Sequence, residues 1–188
     1  VPYLQRIEKM LSGMLVRKPV RLDDVSDLVR EQLFDVDLEQ NDLNVWLYNT
    51  ARLAISFGHV GVLVDAPKEG DKTRPYWVTY TPKDILGWRS EIIDGARQLT
   101  QLRLLEQVVE PDGKYGDKIV KQIRVLERGR YEIHRKDDKK NEYKLFDEGE
   151  MSLKDKIPFA VAYSNRVGYY ESRSPLYDIA ELNLKHYQ

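Results

Sequence analysis

Cysteine is absent from the 188 residues. That excludes a disulfide framework, a thiolate zinc site and a cysteine nucleophile. Histidine is scarce: His59, His134 and His186 stand far apart, with no metal-ligand spacing around any of them. They read as ordinary surface or core side chains. No sign of charge predominates, since 30 Lys and Arg balance 31 Asp and Glu for a net charge of −1. The one-sided field of a dedicated DNA reader or of an anionic-membrane binder is missing. No apolar run approaches the ~20 residues of a membrane span. There is no internal repeat and no low-complexity tract. No phosphate-cradling G-x-x-x-x-G-K-[ST] loop occurs, and no serine sits in a nucleophile elbow. The two glycines of "GHVGVLVD" precede an apolar run, whereas a dinucleotide-binding fingerprint follows one.

What is present is ordinary globular material, 41% hydrophobic and 32% charged, enough to bury a core in one domain or one domain with an appendage. Leu4, Ile7, Met10, Leu11, Met14 and Leu15 recur at helical spacing. They predict an amphipathic helix from about Tyr3 to Val16, ended before Pro19. "RLDDVSDLVREQL" allows a short second helix, and "DVDLEQ" is an acidic loop. A third helix is capped by Asp42, shows Leu43, Trp46, Leu47, Thr50, Ala54 and Phe57 on one face, and ends at Gly58 in a left-handed cap. An unbroken apolar run then predicts a strand from about Val60 to Val64, buried on both faces.

"KEGDKTRP" reads as an exposed hairpin loop, and "YWVTYT" as the returning strand. "PKDILGWRS" reads as a turn and a short strand, and Asp94-Gly95 as a hairpin turn. Leu99 to Val109 alternates as a long strand, and "EPDGKYGD" is a turn. Ile119 to Glu127 and Tyr131 to Lys136 are strands joined around Gly129. "KDDKKNE" is a charged turn, Tyr143 to Phe146 pair back, and "DEGEMSLKD" is a loop. "IPFAVAYSN" is a last apolar strand. The final helix is capped by Ser174, with Pro175 in its first turn, and runs to Gln188. The expected fold is α+β in one domain over 1–188. N-terminal helices pack on a mostly antiparallel, hairpin-rich sheet, and a C-terminal helix is cut at the chain end. Residues 1–58 are mainly helical, 59–163 strand-rich, and 174–188 the start of a helix. A chain that opens on Val and stops inside a helical pattern reads as a piece of a longer protein.

Few residues suggest chemistry. Asp65, Glu91 and Asp94 are candidate ligands for a metal-dependent nuclease, which pairs carboxylates on magnesium beside a lysine. Neither Lys68 nor Lys83 offers that spacing, and carboxylates at strand ends are ordinarily solvated turn residues. Lys114 to Lys140 is rich in Lys and Arg but mixed with acids, and reads as a solvated hairpin with cross-strand pairs. Tyr76, Trp77, Tyr80 and Trp88 gather around one hairpin, and Tyr163, Tyr169, Tyr170, Tyr177 and Tyr187 near the end. These are core or edge residues, with some available to an interface.

Four stretches in order carry a resemblance. They are "RIEKMLSGMLVRKPVRL", "LYNTARLAISFGHVGVLVDAP", "RPYWVTYTPKDILGWR" and "IPFAVAYSNRVGYYESRSPLYDIAELNLKHYQ". Together they resemble, over nearly the whole chain, the portal proteins of tailed bacteriophages, and most of all a phage and prophage family related to portals. The likeness consists of a helix running into a proline, a helix–strand unit with a small-residue turn, a proline–acid–Ile step, and an I-P-strand-N stretch followed by a helix. The resemblance implies the outer wing of a ring subunit at the capsid vertex, with the final helix leading toward the stem. It implies no catalytic residue, no cofactor, no metal, no small-molecule substrate and no membrane. Its partners would be further copies of itself in a dodecameric ring, terminase, scaffold and capsid, head–tail adaptor proteins, and the double-stranded DNA that passes through. Its location would be the virion, after assembly in the bacterial cytoplasm. The alternatives from the residues are the metal-dependent nuclease and a head–tail adaptor or binding module. The residues expected to matter are structural. Trp46 and Leu47 pack the third helix onto the sheet carrying Val62 and Val78, Gly58 is a cap, and Gly61 permits close backbone approach. Pro158 and Asn165 mark the I-P-strand-N stretch.

Overall fold

The computed structural model describes residues 3–66, 74–137 and 142–186. In chain order the elements are α1 (Tyr3–Leu15), α2 (Asp27–Gln32), α3 (Leu43–Phe57), β1 (His59–Asp65), β2 (Tyr76–Tyr80), β3 (Ile85–Ile93), β4 (Ala96–Asp112), β5 (Gly116–Glu127), β6 (Arg130–Asp137), β7 (Glu142–Glu150), β8 (Phe159–Tyr163), β9 (Arg166–Gly168), β10 (Glu171–Ser172) and α4 (Tyr177–His186). The fold is α+β, with antiparallel pairing in every sheet. Where one domain was expected, the chain gathers into two compact units, Val1–Thr81 with Phe159–Gln188, and Pro82–Pro158. β3 to β7 hydrogen-bond only among themselves, while β8 returns to β1.

In the first unit β1 is the middle strand of three, in the order β2-β1-β8. Val60 and Leu63 are fully enclosed, but Val64 is exposed, so β1 is buried on both faces only at its start. α3 is capped as its sequence requires: Asp42 Oδ1 accepts the Val45 amide at 2.9 Å. Its buried side is Trp46, Thr50, Ala54 and Ile55. Leu47 and Phe57 are only half-buried. Trp46 meets Trp77 of β2 edge to face, with ring centroids 4.8 Å apart. The acidic loop before α3 is self-tied. Asp35 Oδ1 accepts the Gln40 amide at 2.9 Å, and Asp37 accepts the Glu39 amide at 3.0 Å and the Asn41 side-chain amide at 2.8 Å. Those bonds support positive φ at Leu38 and Gln40, positions that non-glycine residues rarely occupy.

α1 packs against α3, with Leu4, Ile7, Glu8 and Leu11 half-buried and Gln5, Arg6 and Lys9 exposed. Ser12 is its one buried residue, with its hydroxyl donating to the Glu8 carbonyl at 2.7 Å. Glu8 in turn accepts from Arg52 Nε of α3 at 3.2 Å. Of the apolar face read from the sequence, Leu4, Ile7 and Leu11 are half-buried, while Met10, Met14 and Leu15 are exposed.

The second unit is a five-stranded meander, β3-β4-β5-β6-β7. Asp94 and Gly95 both have positive φ, 51° and 76°, the backbone of a two-residue type I′ turn. β4 is longer than expected, 17 residues, and β3 has nine. Pairing skips Thr100, from Arg89↔Gln101 to Ser90↔Leu99. This bulge resets the alternation, so that Leu99, Leu102 and Leu104 are all buried. Two loops of the sequence reading are strand. Pro111 and Asp112 still pair with Asp117 and Gly116, so the turn of "EPDGKYGD" shrinks to 113–115. Asp147 to Glu150 extend β7 along β6, after a bulge that skips Phe146. The acidic "DEGE" had read as a loop because its composition is polar. The backbone partners of an edge strand do not depend on that.

Candidate assembly surface

The corner where α3 passes into β1 gathers the largest number of long-range side-chain bonds in the first unit. A helix leaves its last carbonyls without intrahelical partners; here the Ala54 carbonyl takes the Gly58 amide at 2.7 Å and the Gly58 carbonyl the Ser164 amide at 2.9 Å, and serine hydroxyls of the returning segment add to the closure. Ser164 Oγ donates to the carbonyls of Ala54 at 2.7 Å and Gly58 at 2.9 Å. Ser174 Oγ donates to the Ile55 carbonyl at 2.9 Å and accepts the Leu176 amide at 3.1 Å, so one hydroxyl ties α3 to the start of α4. Gly58 makes the closure possible. It has φ +91°, and a Cβ there would stand 2.8 Å from the Arg173 carbonyl carbon and 2.9 Å from the Ser174 nitrogen. Its ψ of −34° lies outside the left-handed helical well, so the expected cap has the right sign of φ but its own geometry.

His59 and Ser172 meet at this corner, with Nδ1 2.6 Å from Oγ. Burial pushes the imidazole pKa below its ordinary value, so the ring is neutral at pH 7 and accepts or donates as a neutral partner. A serine beside a neutral histidine has the makings of a nucleophile and base. Two things turn this pair to holding the chain instead. Ser172 Oγ lies 2.5 Å from where a Gly58 Cβ would be, against backbone. Among the described residues, no carboxylate is bonded to His59 to orient it. The sequence reading missed the pair because its members are 113 residues apart.

Gly61 serves a ring. A Cβ on it would be 2.1 Å from Phe159 Cζ, so the close approach is by an aromatic side chain where backbone was expected. Phe159 then stacks on Tyr170 at 5.9 Å and 15°. Tyr170 has φ +59°, and its amide donates to Tyr163 Oη at 2.9 Å. Burial pushes its phenol pKa well up. Tyr163, Tyr169 and Tyr170 thus cluster as read, while Tyr177 is exposed under the Arg173 guanidinium, and Tyr187 lies outside the described residues. Trp88 stands on β3 of the second unit. Pro158 ends that unit just before β8. Asn165 sits in the turn after β8, where its carbonyl accepts the Arg173 amide at 3.1 Å.

The outer surface is apolar in unusual places. A groove of about 330 Å³ opens between the end of α1, α3 and β8, lined by Leu15, Val20, Leu47, Ala51, Ile55 and Tyr163 among others. Leu47 lines this groove beside Ala162 and Tyr163 of β8, and Trp46 meets Trp77 of β2. Met14 of α1 is 67% exposed and Phe34, after α2, 74%. α4 has no buried residue, and Ile179, Leu182 and Leu184 are all exposed. In the second unit β4 and β5 run past their other neighbours as a two-stranded arm beyond Leu105 and Lys121. Val109 and Ile119 are cross-strand partners near its end and both are exposed. At its base Gln122, buried, donates to Glu106 at 2.8 Å and accepts from Arg135 Nε at 3.2 Å. Arg135 also reaches Glu110 at 2.7 Å, and Glu110 pairs with Lys118 at 3.7 Å. The basic stretch is thus a hairpin laced with cross-strand pairs.

The three nuclease candidates do not form a described site. Asp65 belongs to the first unit, and Glu91 and Asp94 to the second. Asp65 accepts from Tyr76 Oη at 3.3 Å and from the Ala66 amide at 3.0 Å. Lys68 lies outside the described residues. Among the described residues no group of three His, Asp or Glu side chains is arranged to hold a metal ion, and no helix is long and apolar enough to cross a membrane. No protein-family model matches the chain, and no curated protein matches its sequence.

Proposed function

We propose that this chain is the wing region of a tailed-phage portal protein, a non-enzymatic subunit of the ring at the capsid vertex through which double-stranded DNA is packaged and ejected. Its partners on this reading are other copies of itself, terminase, scaffold and capsid, and head–tail adaptor proteins, and its place is the virion. The observation that carries the reading is the exposed part of the apolar stripe of α1. An amphipathic helix that half-buries Leu4, Ile7 and Leu11 and ties Glu8 to Arg52 while leaving Met10, Met14 and Leu15 in water has spare apolar surface for something outside its own chain. The exposed apolar residues of α4 and of the β4–β5 arm support the same reading. The order of the four portal-like stretches supplies the family. They fall on α1, on α3–β1, on β2–β3 and on β8–α4, so most of them lie in the first unit. Negative-stain electron microscopy of the full-length gene product, with light scattering for its mass, tests the reading. Rings with a central channel are expected, and a uniform monomer or dimer overturns it.

A further inference from the structure

Charge is segregated along the first unit. Residues 3–21 carry five cations, Arg6, Lys9, Arg17, Lys18 and Arg21, and one acid, Glu8, which Arg52 already pairs. All five cations are exposed. Residues 22–42 carry eight acids and one cation, Arg30. Of those acids Asp23, Asp24, Asp27, Glu31 and Glu39 are exposed. Each segment also presents apolar side chains to solvent: Tyr3, Met10 and Met14 on α1, against Leu28, Val29 and Phe34 on and after α2. The first segment is thus net basic and the second net acidic, inside a chain whose total is −1.

We propose that copies of this chain associate head to tail, the basic apolar surface of α1 and the segment after it (residues 3–21) on one copy docking on the acidic apolar surface of α2 and its flanks (residues 22–42) on the next. This rests on the assembly reading above and names the surfaces it uses. Like-on-like pairing is disfavoured, since residues 3–21 on themselves set cation against cation and residues 22–42 on themselves set acid against acid. Within one copy the two surfaces stand on different sides of α3. Arg52 reaches α1, and Trp46 faces Trp77, whose amide is bonded to the Val36 carbonyl of the acidic loop. Arg52 and Trp46 are six positions apart, which is about 120° around a helix. A contact between unlike surfaces is heterologous, and repeated it closes a ring or extends a filament. A 13-residue helix is about 20 Å long, too short to bury alone the roughly 1,200 Å² of a stable pair. The single contact is therefore weak, salt-sensitive and strengthened by ring closure.

Two charge-reversed chains test this. One carries Arg6→Glu, Lys9→Glu and Arg17→Glu; the other carries Asp23→Lys, Glu31→Lys and Glu39→Lys. All six side chains are exposed, and thermal melts followed by circular dichroism verify that both variants fold. Sedimentation velocity over a concentration series reads the association of the 188-residue chain, and electron microscopy reads rings in the full-length gene product with the same changes. The expected result is association of the unaltered chain that weakens with salt, its loss in each variant alone, and its return in an equimolar mixture of the two. An unaltered chain that stays monomeric at every concentration overturns the proposal, as does a variant that associates normally or a mixture that stays monomeric. Rings that persist in both variants overturn these surfaces and leave the portal reading standing. Loss and rescue of association without any channel-bearing ring supports the surfaces and overturns the portal reading.

Discussion

The two units are held together in opposite ways. In the second, each strand pairs with its neighbour in sequence, and turns such as Asp94-Gly95 and bulges at Thr100 and Phe146 set the register. Its stability is local, and its polar ladder through Gln122 is made by facing strands. In the first, β8 joins β1 across about a hundred residues of chain, and serines at 164 and 174 close the end of α3. A few large or very small side chains decide whether that closure forms: Trp46, Phe159, Gly58 and Gly61. Both units leave apolar side chains in water, on α1 and α4 in the first and on the β4–β5 arm in the second. A region built from distant closures depends on side chains far apart in sequence, while the meander sets its register locally.

The largest effects should expose that difference. Trp46→Ala removes a ring 8% exposed and should cost the first unit about 3–5 kcal/mol, and Leu102→Ala should cost the second about 2–5 kcal/mol. Hydrogen exchange by peptide reads the two units separately. Each loss should stay in its own unit, and a Trp46→Ala chain with an unchanged first unit would break the comparison. Gly58→Val follows. It adds a clash with the backbone of Arg173 and Ser174 to strain at φ +91°, so urea denaturation should show a loss of about 2–4 kcal/mol. Near-normal stability would show that the serine closure does not depend on Gly58. Tyr163→Phe removes the hydroxyl that accepts the Tyr170 amide and should cost about 1 kcal/mol in the same assay.

The smallest effect is in pH. Burial lowers the His59 pKa from its ordinary 6.5. A depressed folded-state value means that the unfolded chain binds the proton first. The stabilisation from neutral His59 is thus complete above about pH 6.5 and is lost as pH falls through the lowered value. In the second unit Glu132 is held below its ordinary 4.5 by the hydrogen bond from His134 and by Arg130, and that contribution is lost only at lower pH. Exchange in the first unit should therefore rise first on acidification. His59→Gln should flatten that early rise and leave the second unit's response unchanged.

Much of this fold was legible because much of it is local. The caps of α3 and the apolar run of β1 are written in Asp42, Gly58 and Val60 to Val64, and the turn at Asp94-Gly95 in two residues. What was not legible depends on partners far along the chain. The seating of α1 on α3 uses Arg52 and Glu8, 44 positions apart. The reason for Gly61 is Phe159, and that for Ser172 is His59. β9 and β10, three and two residues long, are too short for any periodicity. The candidate surface was legible in part: the apolar face of α1 is plain from its spacing, but not that Met10, Met14 and Leu15 stay exposed while Leu4, Ile7 and Leu11 are half-buried.

The most direct test of the account is hydrogen exchange of α1 in the full-length gene product, measured in its assembled and dissociated states. The account predicts strong added protection of Tyr3–Leu15 on assembly, with the buried strands around Leu102 and Leu104 unchanged. Assembly that leaves α1 exchanging as fast as before would contradict it.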